Sequence, residues 1–350
     1  MLFNLNIQGF LISFLLAILI VPLISRFCLR KGFVDQPNRR KIHKKPTPRL
    51  GGVAIWLCAL IAFVIITLLN SDFPYVSGLS GIFIGGSLMF LLGLIDDLYD
   101  LNPGFKLFIQ IGAATVAFLL GVRIEVISNP FGEAITLGML SFPITILWLT
   151  GISNAVNFID GVDGLAGGVA TIMAITLGVV AIASNQPASA LVAMLLAGAL
   201  MGFLAFNFYP AKIFMGDSGS LFSGFALAGL SVTGVVKSVA MSVLLPVLIF
   251  AVPIADLSFS VFRRLLKGNN PMHADDNHIH HKLLKSGFSQ NKTAATLYIL
   301  CVAGGAIASF MVGAHWIYLS LIFVALLVMI ILSHLAKVRR YKELKEARQK

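Results

Sequence analysis

The stretch ITILWLTGISNAVNFIDGVDGLAGGVATIMAITLGVVAIA, Ile144 to Ala183, decides how this chain must be read. Two apolar runs flank a short insert, NFIDGVDGLAGG (Asn157–Gly168), which carries two aspartates three residues apart among four glycines. Apolar runs of about 20 residues match the thickness of a bilayer's hydrocarbon layer, and the pattern repeats along the chain. The whole sequence is 58% hydrophobic and only 12% charged, with a mean hydropathy of +0.92. A soluble domain carries about 25% charged residues. In lipid, only helices and closed barrels satisfy their own backbone, and runs this long predict helices.

Candidate spans fall at 6–25, 50–70, 77–95, 106–122, 139–156, 165–183, 187–206, 219–236, 238–261, 293–312 and 315–336. The expected fold is therefore an all-α polytopic integral membrane protein with about eleven transmembrane helices. Residues 1–336 form one membrane domain, and 337–350 form a basic tail. The least apolar candidates are 139–156, which contains Pro143, and 219–236, which is rich in Gly and Ser. The first run is too long for a secretory signal and lacks a small-residue cleavage site, so it is expected to be retained. Cys28, Cys58 and Cys301 are scattered singly and give no disulfide framework.

Charge sets an expected orientation. With the N-terminus outside and the loops alternating, all but Arg123 and Lys237 of the 26 Lys and Arg residues fall on the inner side. That is the skew of a cytoplasmic face, with the C-terminal tail also inside. The basic tail suits anionic lipid headgroups. Nucleic-acid binding is excluded as a reading, because few aromatic residues accompany the exposed basic ones.

Carboxylates do not follow the orientation rule, yet they gather on the same side. Asp96, Asp97, Asp160, Asp163 and Asp217 each sit at the mouth of a span, as in FLLGLIDDLYD and KIFMGDSGSLF. A charge at the bilayer centre costs at least about 2.5–3.5 kcal/mol, so acids at span mouths predict a polar site at the inner face. Asn154, Asn157, Asp160 and Asp163 recur every third residue, a spacing that places neighbours on one helical face. Gly161 and Gly164 loosen the helix there. Amide and carboxylate oxygens suit a hard cation that shares its shell with phosphates. The loop RRKIHKKPTPR (Arg39–Arg49) would attract those phosphates. A second cluster, HADDNHIHHKLL, holds His273, His278, His280 and His281, and on a helix His278 and His281 would share a face. Zinc is disfavoured because no cysteine lies near and the neighbouring motifs favour an oxygen-bound metal; a solvated loop stays open, and hydrogen bonds to a polar or anionic ligand are the leading reading.

Five motifs in order carry a family resemblance: VDQPNRRKIHKKPTPRLGG, LIDDLYD, NAVNFIDGVDGLAGG, FNFYPAKIFMGDSGS and DDNHIHHKLL. Together they resemble the polyprenyl-phosphate N-acetylhexosamine-1-phosphate transferases, in the WecA/TagO branch. The HIHH form sets this branch apart from the muramoyl-pentapeptide relatives. The resemblance implies transfer of a sugar-1-phosphate from a UDP-N-acetylhexosamine, foremost UDP-N-acetylglucosamine, to undecaprenyl or another polyprenyl phosphate. UMP would leave, and Mg²⁺ would be required, with Mn²⁺ an acceptable substitute. It implies Asp217 and Asn157 as metal ligands. Asp96, Asp97 and Asp163 would be catalytic, with Asp96 acting on the lipid phosphate. Asn154 and Asp160, together with Asp163, would line the nucleotide side; Asn207 and Phe214 would lie by the uridine and Lys44 by the donor. His278, His280 and His281 would contact the sugar or diphosphate. Met272 and Asp276 depart from the family's usual residues in the loop expected to read the sugar. The implied location is the plasma membrane of a bacterium, with a homodimer left open. A transporter is the rival class; it would place carboxylates at mid-membrane depth or across an inverted repeat.

Overall fold

The computed structural model describes residues 2–36, 46–70, 78–127, 133–234, 244–266, 268 and 278–349. The fold is all-α. Thirteen helices occur among the described residues: α1 (Leu2–Lys31), α2 (Gly51–Leu69), α3 (Leu79–Tyr99), α4 (Pro103–Leu119), α5 (Ser141–Phe158), α6 (Leu165–Ala183), α7 (Pro187–Asn207), α8 (Gly216–Gly234), α9 (Leu244–Ile249), α10 (Ala251–Leu266), α11 (Ile279–Lys285), α12 (Gln290–Met311) and α13 (His315–Gln349). Two short antiparallel strand pairs, Val34–Asp35 with Thr47–Pro48 and Val126–Ile127 with Ile135–Thr136, close loops between helices. The backbone of 337–349 continues α13.

Among the described residues, 8 helices are long and apolar enough to span a membrane. They correspond to the expected segments at 6–25, 50–70, 77–95, 139–156, 165–183, 187–206, 293–312 and 315–336. The remaining three candidates differ. The segment expected at 106–122 is α4, of 17 residues. The Gly- and Ser-rich segment at 219–236 is α8, which starts three residues earlier, at Gly216. The segment at 238–261 is not one helix: its start lies outside the described residues, and it is broken at Phe250 between α9 and α10. Pro253 has no N–H for the carbonyl of Ile249, four residues back, which interrupts the helical ladder there.

Helices α6 and α7 form the centre, with 94% and 89% of their apolar windows buried, against 22% for α1 and 17% for α13. Helices apolar on every side suit such a position. Lipid tails are as apolar as leucine, so small residues rather than a hydrophobic drive let these helices close up. Gly198 of α7 lies against the Phe10 carbonyl of α1, and Gly202 lies against Ala17 and the Phe14 carbonyl. Between α2 and α3, Trp56 stacks on Phe90 at 4.6 Å and donates to Ser87 Oγ at 3.0 Å.

Candidate active site

At one end of the bundle, the last turns of α3 and α5 meet the first turns of α2, α4 and α8. Asp96 and Asp97 lie side by side near the end of α3 but serve different partners. Asp96 Oδ1 accepts from the Leu101 amide at 2.8 Å, and its Oδ2 meets Lys106 Nζ at 2.7 Å. Lys106 also reaches Asp217 Oδ2 at 2.5 Å, so one ammonium bridges α3 and α8. Its place is fixed locally. Asn102 caps α4 by accepting from the Gly104 amide at 2.9 Å, and Pro103 supplies a preset first-turn φ.

Asp97 is 6% exposed and is committed to the start of α8. Its Oδ1 accepts from the Asp217 amide at 2.9 Å; its Oδ2 accepts from the Ser218 amide at 3.1 Å and from Ser218 Oγ at 2.7 Å. First-turn amides have no partner within their own helix, and the helix dipole favours an anion there. A neighbouring helix thus caps α8. Gly216 enters with φ +70°, and a Cβ on it would sit 2.6 Å from Asp97 Oδ2. Gly93 of α3 abuts the Asp217 backbone, and Gly52 of α2 abuts Gly219. The glycines of RLGG and GDSGS therefore allow three helices to converge on Asp217.

The polar insert does not form one continuous helical face. Helix α5 stops at Phe158, and Gly164 at φ +79° opens α6, so Asp160 and Asp163 sit in the turn between them. Asn154 pairs its amide with Gln110 of α4, donating to Oε1 at 2.6 Å and accepting from Nε2 at 3.2 Å. Asn157 donates to Ser220 Oγ at 2.8 Å and faces Asp217. Asp163 Oδ2 accepts from the Ala211 amide at 2.9 Å. Asn207, 3% exposed, accepts from the Gly164 amide at 3.1 Å and donates to the Ile213 carbonyl at 2.8 Å. These last two side chains tie the turn at 159–164 to the loop at 208–215. Phe214 pairs through its backbone with Pro48 at 2.8 Å and Gly51 at 3.0 Å, which seats the RLGG segment on the same loop. Lys44, Met272, His273, Asp275 and Asp276 lie outside the described residues. Burial, reinforced by the negative charges of Asp217, Asp97 and Asp163, pushes the Asp160 carboxyl up to about 8.

The histidine segment is folded in rather than solvated. His278 and His280 are 6% and 2% exposed. His278 is the cap residue before α11, with extended backbone, so it does not share a helical face with His281. Instead its ring lies parallel to that of His280, with centroids 5.8 Å apart, and His280 contacts His281 at 4.2 Å. Phe158, at the end of α5, flanks His278 at 5.4 Å. The His280 ring packs on Gly161, the glycine between the two aspartates of the insert. Burial, helped by the neighbouring His281, pushes His280 down to about 4 and keeps it neutral.

These residues fit a divalent cation of the hard, oxygen-binding class. Asp217 and Asn157 face each other, and the negative charges of Asp217, Asp97 and Asp163, which add to burial in raising Asp160, gather at the same place. No group of three or more His, Cys, Asp or Glu that could hold a metal occurs among the described residues. A partial protein shell suits Mg²⁺, which keeps waters and takes substrate phosphates. Lys106, Gln110, Ser218 and Ser220 had no place in the sequence-based set. Lys106 could have been found as the single lysine that follows the acid pair before the next apolar run.

Fold and site together define a polytopic membrane protein whose polar chemistry is concentrated at one end of its helices, not at mid-depth as in a carrier. Residues 79–235 match the family model described as glycosyl transferase family 4. The chain is 36% identical over 330 residues to the probable undecaprenyl-phosphate N-acetylglucosaminyl 1-phosphate transferase of Bacillus subtilis (strain 168), covering 93% of this chain and 91% of that protein. It is 34% identical over 297 residues to the decaprenyl-phosphate N-acetylglucosaminephosphotransferase of Mycolicibacterium smegmatis, covering 77% and 73%. With the undecaprenyl-phosphate alpha-N-acetylglucosaminyl 1-phosphate transferase of Yersinia pestis it shares 26% over 329 residues, covering 90% and 87%. The chain belongs to the WecA/TagO-like family of polyprenyl-phosphate N-acetylhexosamine-1-phosphate transferases.

Proposed function

We propose that this protein transfers N-acetylglucosamine-1-phosphate from UDP-N-acetylglucosamine to undecaprenyl or another polyprenyl phosphate, at the cytoplasmic face of a bacterial plasma membrane. The observation that carries this reading is the Asp96–Lys106–Asp217 bridge beside Asn157, at the mouths of α3, α4 and α8. A lipid phosphate confined to the headgroup layer and a soluble nucleotide can meet only at such a boundary.

In the proposed reaction, an oxygen of the lipid phosphate attacks the β-phosphorus of the donor. The bond from that phosphorus to the bridging oxygen breaks, and UMP leaves with the electron pair. The product is a polyprenyl-diphosphate sugar. Two anions must approach each other, so catalysis rests on positioning and charge. Lys106 can turn from the two aspartates to the incoming phosphates, leaving Asp96 to orient or deprotonate the acceptor. Asp97 holds Asp217 in place through the start of α8. Asp217 and Asn157 would hold Mg²⁺, or Mn²⁺, which when bound offsets the charge of the diphosphate and of departing UMP. Asp160 and Asp163 border the nucleotide side with Asn207 and Phe214, Lys44 approaches the donor, and the histidines contact its sugar or diphosphate. Asn154 acts through Gln110, as a tie between α5 and α4.

The deciding experiment incubates the purified protein with undecaprenyl phosphate, Mg²⁺ and a panel of UDP-sugars, with UMP as the readout. UMP from UDP-N-acetylglucosamine is expected. UMP only from another N-acetylhexosamine or from UDP-N-acetylmuramoyl-pentapeptide would replace the donor. None from any donor, with the protein folded, would overturn the reaction.

A further inference from the structure

Asp256 is 2% exposed in α10 and has no part in the chemistry described above. A carboxylate so deeply placed is costly unless its oxygens are satisfied. Here both are. Its Oδ2 lies 2.9 Å from His278 Nδ1, and its Oδ1 accepts from the Ile279 amide at 2.6 Å. The second bond satisfies a first-turn amide of α11, and the first fixes one ring nitrogen of a buried histidine. From Asp256 a continuous row of contacts runs through the His278 ring, the parallel His280 ring and Gly161 to the turn that holds Asp160 and Asp163.

We propose that Asp256 is a positioning residue that locks His278 in the Nδ1–H tautomer and presents its Nε2 to the donor as an acceptor. A carboxylate takes a proton-bearing Nδ1 and nothing else, so a neutral His278 must keep its lone pair on Nε2. Phe158 and His280 both pack against the His278 ring and restrict its plane. Carboxylate–histidine pairs orient metal-bound histidines in the same way, and their loss there costs about ten- to a hundredfold. The proposal rests on the reading that His278 contacts the donor, and a bare Nε2 can accept only from its sugar hydroxyls or N-acetyl N–H, since the ionised diphosphate carries no donor.

Two measurements on the full-length protein test it. The first does not depend on the donor: ¹⁵N-histidine NMR at a pH well above the ordinary histidine range, with the His278 signal assigned by its loss in His278→Ala. Protonated Nδ1 with bare Nε2 is expected in the parent. Asp256→Asn, whose amide can donate to Nδ1, is expected to invert the pattern. A parent His278 with bare Nδ1 would overturn the proposal. The second is a kinetic cycle with the donor that the parent protein uses best. Asp256→Asn is expected to lower kcat about ten- to a hundredfold, with the KM for lipid acceptor and the thermal midpoint little changed. Asp256→Glu is expected to recover part of the rate, and adding His278→Ala to Asp256→Asn to cost nothing more. Independent, multiplying losses or a fully active Asp256→Asn would sink the inference, and no turnover of any donor by the parent would instead count against the function.

Discussion

Adjacent residues on a helix point about 100° apart, and that divergence separates the duties of Asp96 and Asp97. Asp97 faces α8 and satisfies three donors there. Asp97→Ala strands those donors and is expected to cost about 1–3 kcal/mol of stability. A thermal midpoint equal to that of the parent would refute the capping role. Asp217→Asn keeps an acceptor oxygen but loses the charge shared with Lys106. It is expected to lower the rate about ten- to a hundredfold, the equivalent of about 1.5–3 kcal/mol for a charge-assisted contact, and excess Mg²⁺ is expected to restore part of it. An unchanged Mg²⁺ dependence at full rate would move the metal to the aspartates of the insert. Asp160 carries a pH signature. Its folded carboxyl, raised to about 8 by burial and by three negative neighbours, binds a proton more tightly than the unfolded chain does. That contribution to stability is complete below the unfolded value of about 4 and is lost as pH rises through the folded value. His280, held down to about 4, contributes the opposite slope up to its unfolded value of about 6.5, so metal-free protein is expected to melt at progressively lower temperature between about pH 6.5 and 8, with Mg²⁺ opposing the trend. A flat profile in chelator would contradict it.

At the scale of elements, the site is a meeting of helix ends that only missing side chains permit. Gly52 packs on Gly219, and Gly93 packs on the Asp217 backbone, so neither position has room for a methyl group. Gly93→Ala must push α3 away from α8, and overpacking of this kind costs about 1–3 kcal/mol. Reduced activity together with a lowered thermal midpoint is expected; a variant with both intact would show that the approach of α3 to Asp217 is not needed. The same scale explains the break between α9 and α10. Pro253 ends the continuous ladder, and the separate α10 carries Asp256 toward α11.

For the whole molecule, the skew of Lys and Arg predicts which end of the bundle is cytoplasmic. A reporter fused after Lys350 is expected to behave as internal, and one placed near Glu133 as external. The opposite pattern would turn the carboxylate end away from soluble nucleotides and remove the proposed function with it. The all-α, membrane-spanning character was legible because bilayer thickness dictates span length, and long apolar runs record it directly. The gathering of Asp96, Asp160, Asp163 and Asp217 at one end was legible too, since a charge is expelled from the hydrocarbon toward a span mouth.

What the sequence determined by itself was therefore membrane depth: which residues lie in lipid, which lie at the boundary, and which motifs share that boundary. Partnership among the boundary residues was decided by tertiary structure alone. The three-residue spacing from Asn154 to Asp163 promised one face, but α5 ends at Phe158, and Asn154 turns to Gln110 while Asp163 turns to Ala211. Lys106 looked like an orienting charge until α3, α4 and α8 brought two carboxylates to it. His278 read as a ligand contact in a polar loop, and only the packing of α10 set the buried Asp256 against its ring. Transfer from water to lipid is a property of each residue and its near neighbours, so it can be read along the chain. A hydrogen bond can join residues more than a hundred positions apart, as it does Lys106 and Asp217, and only the packing of helices sets which of them meet.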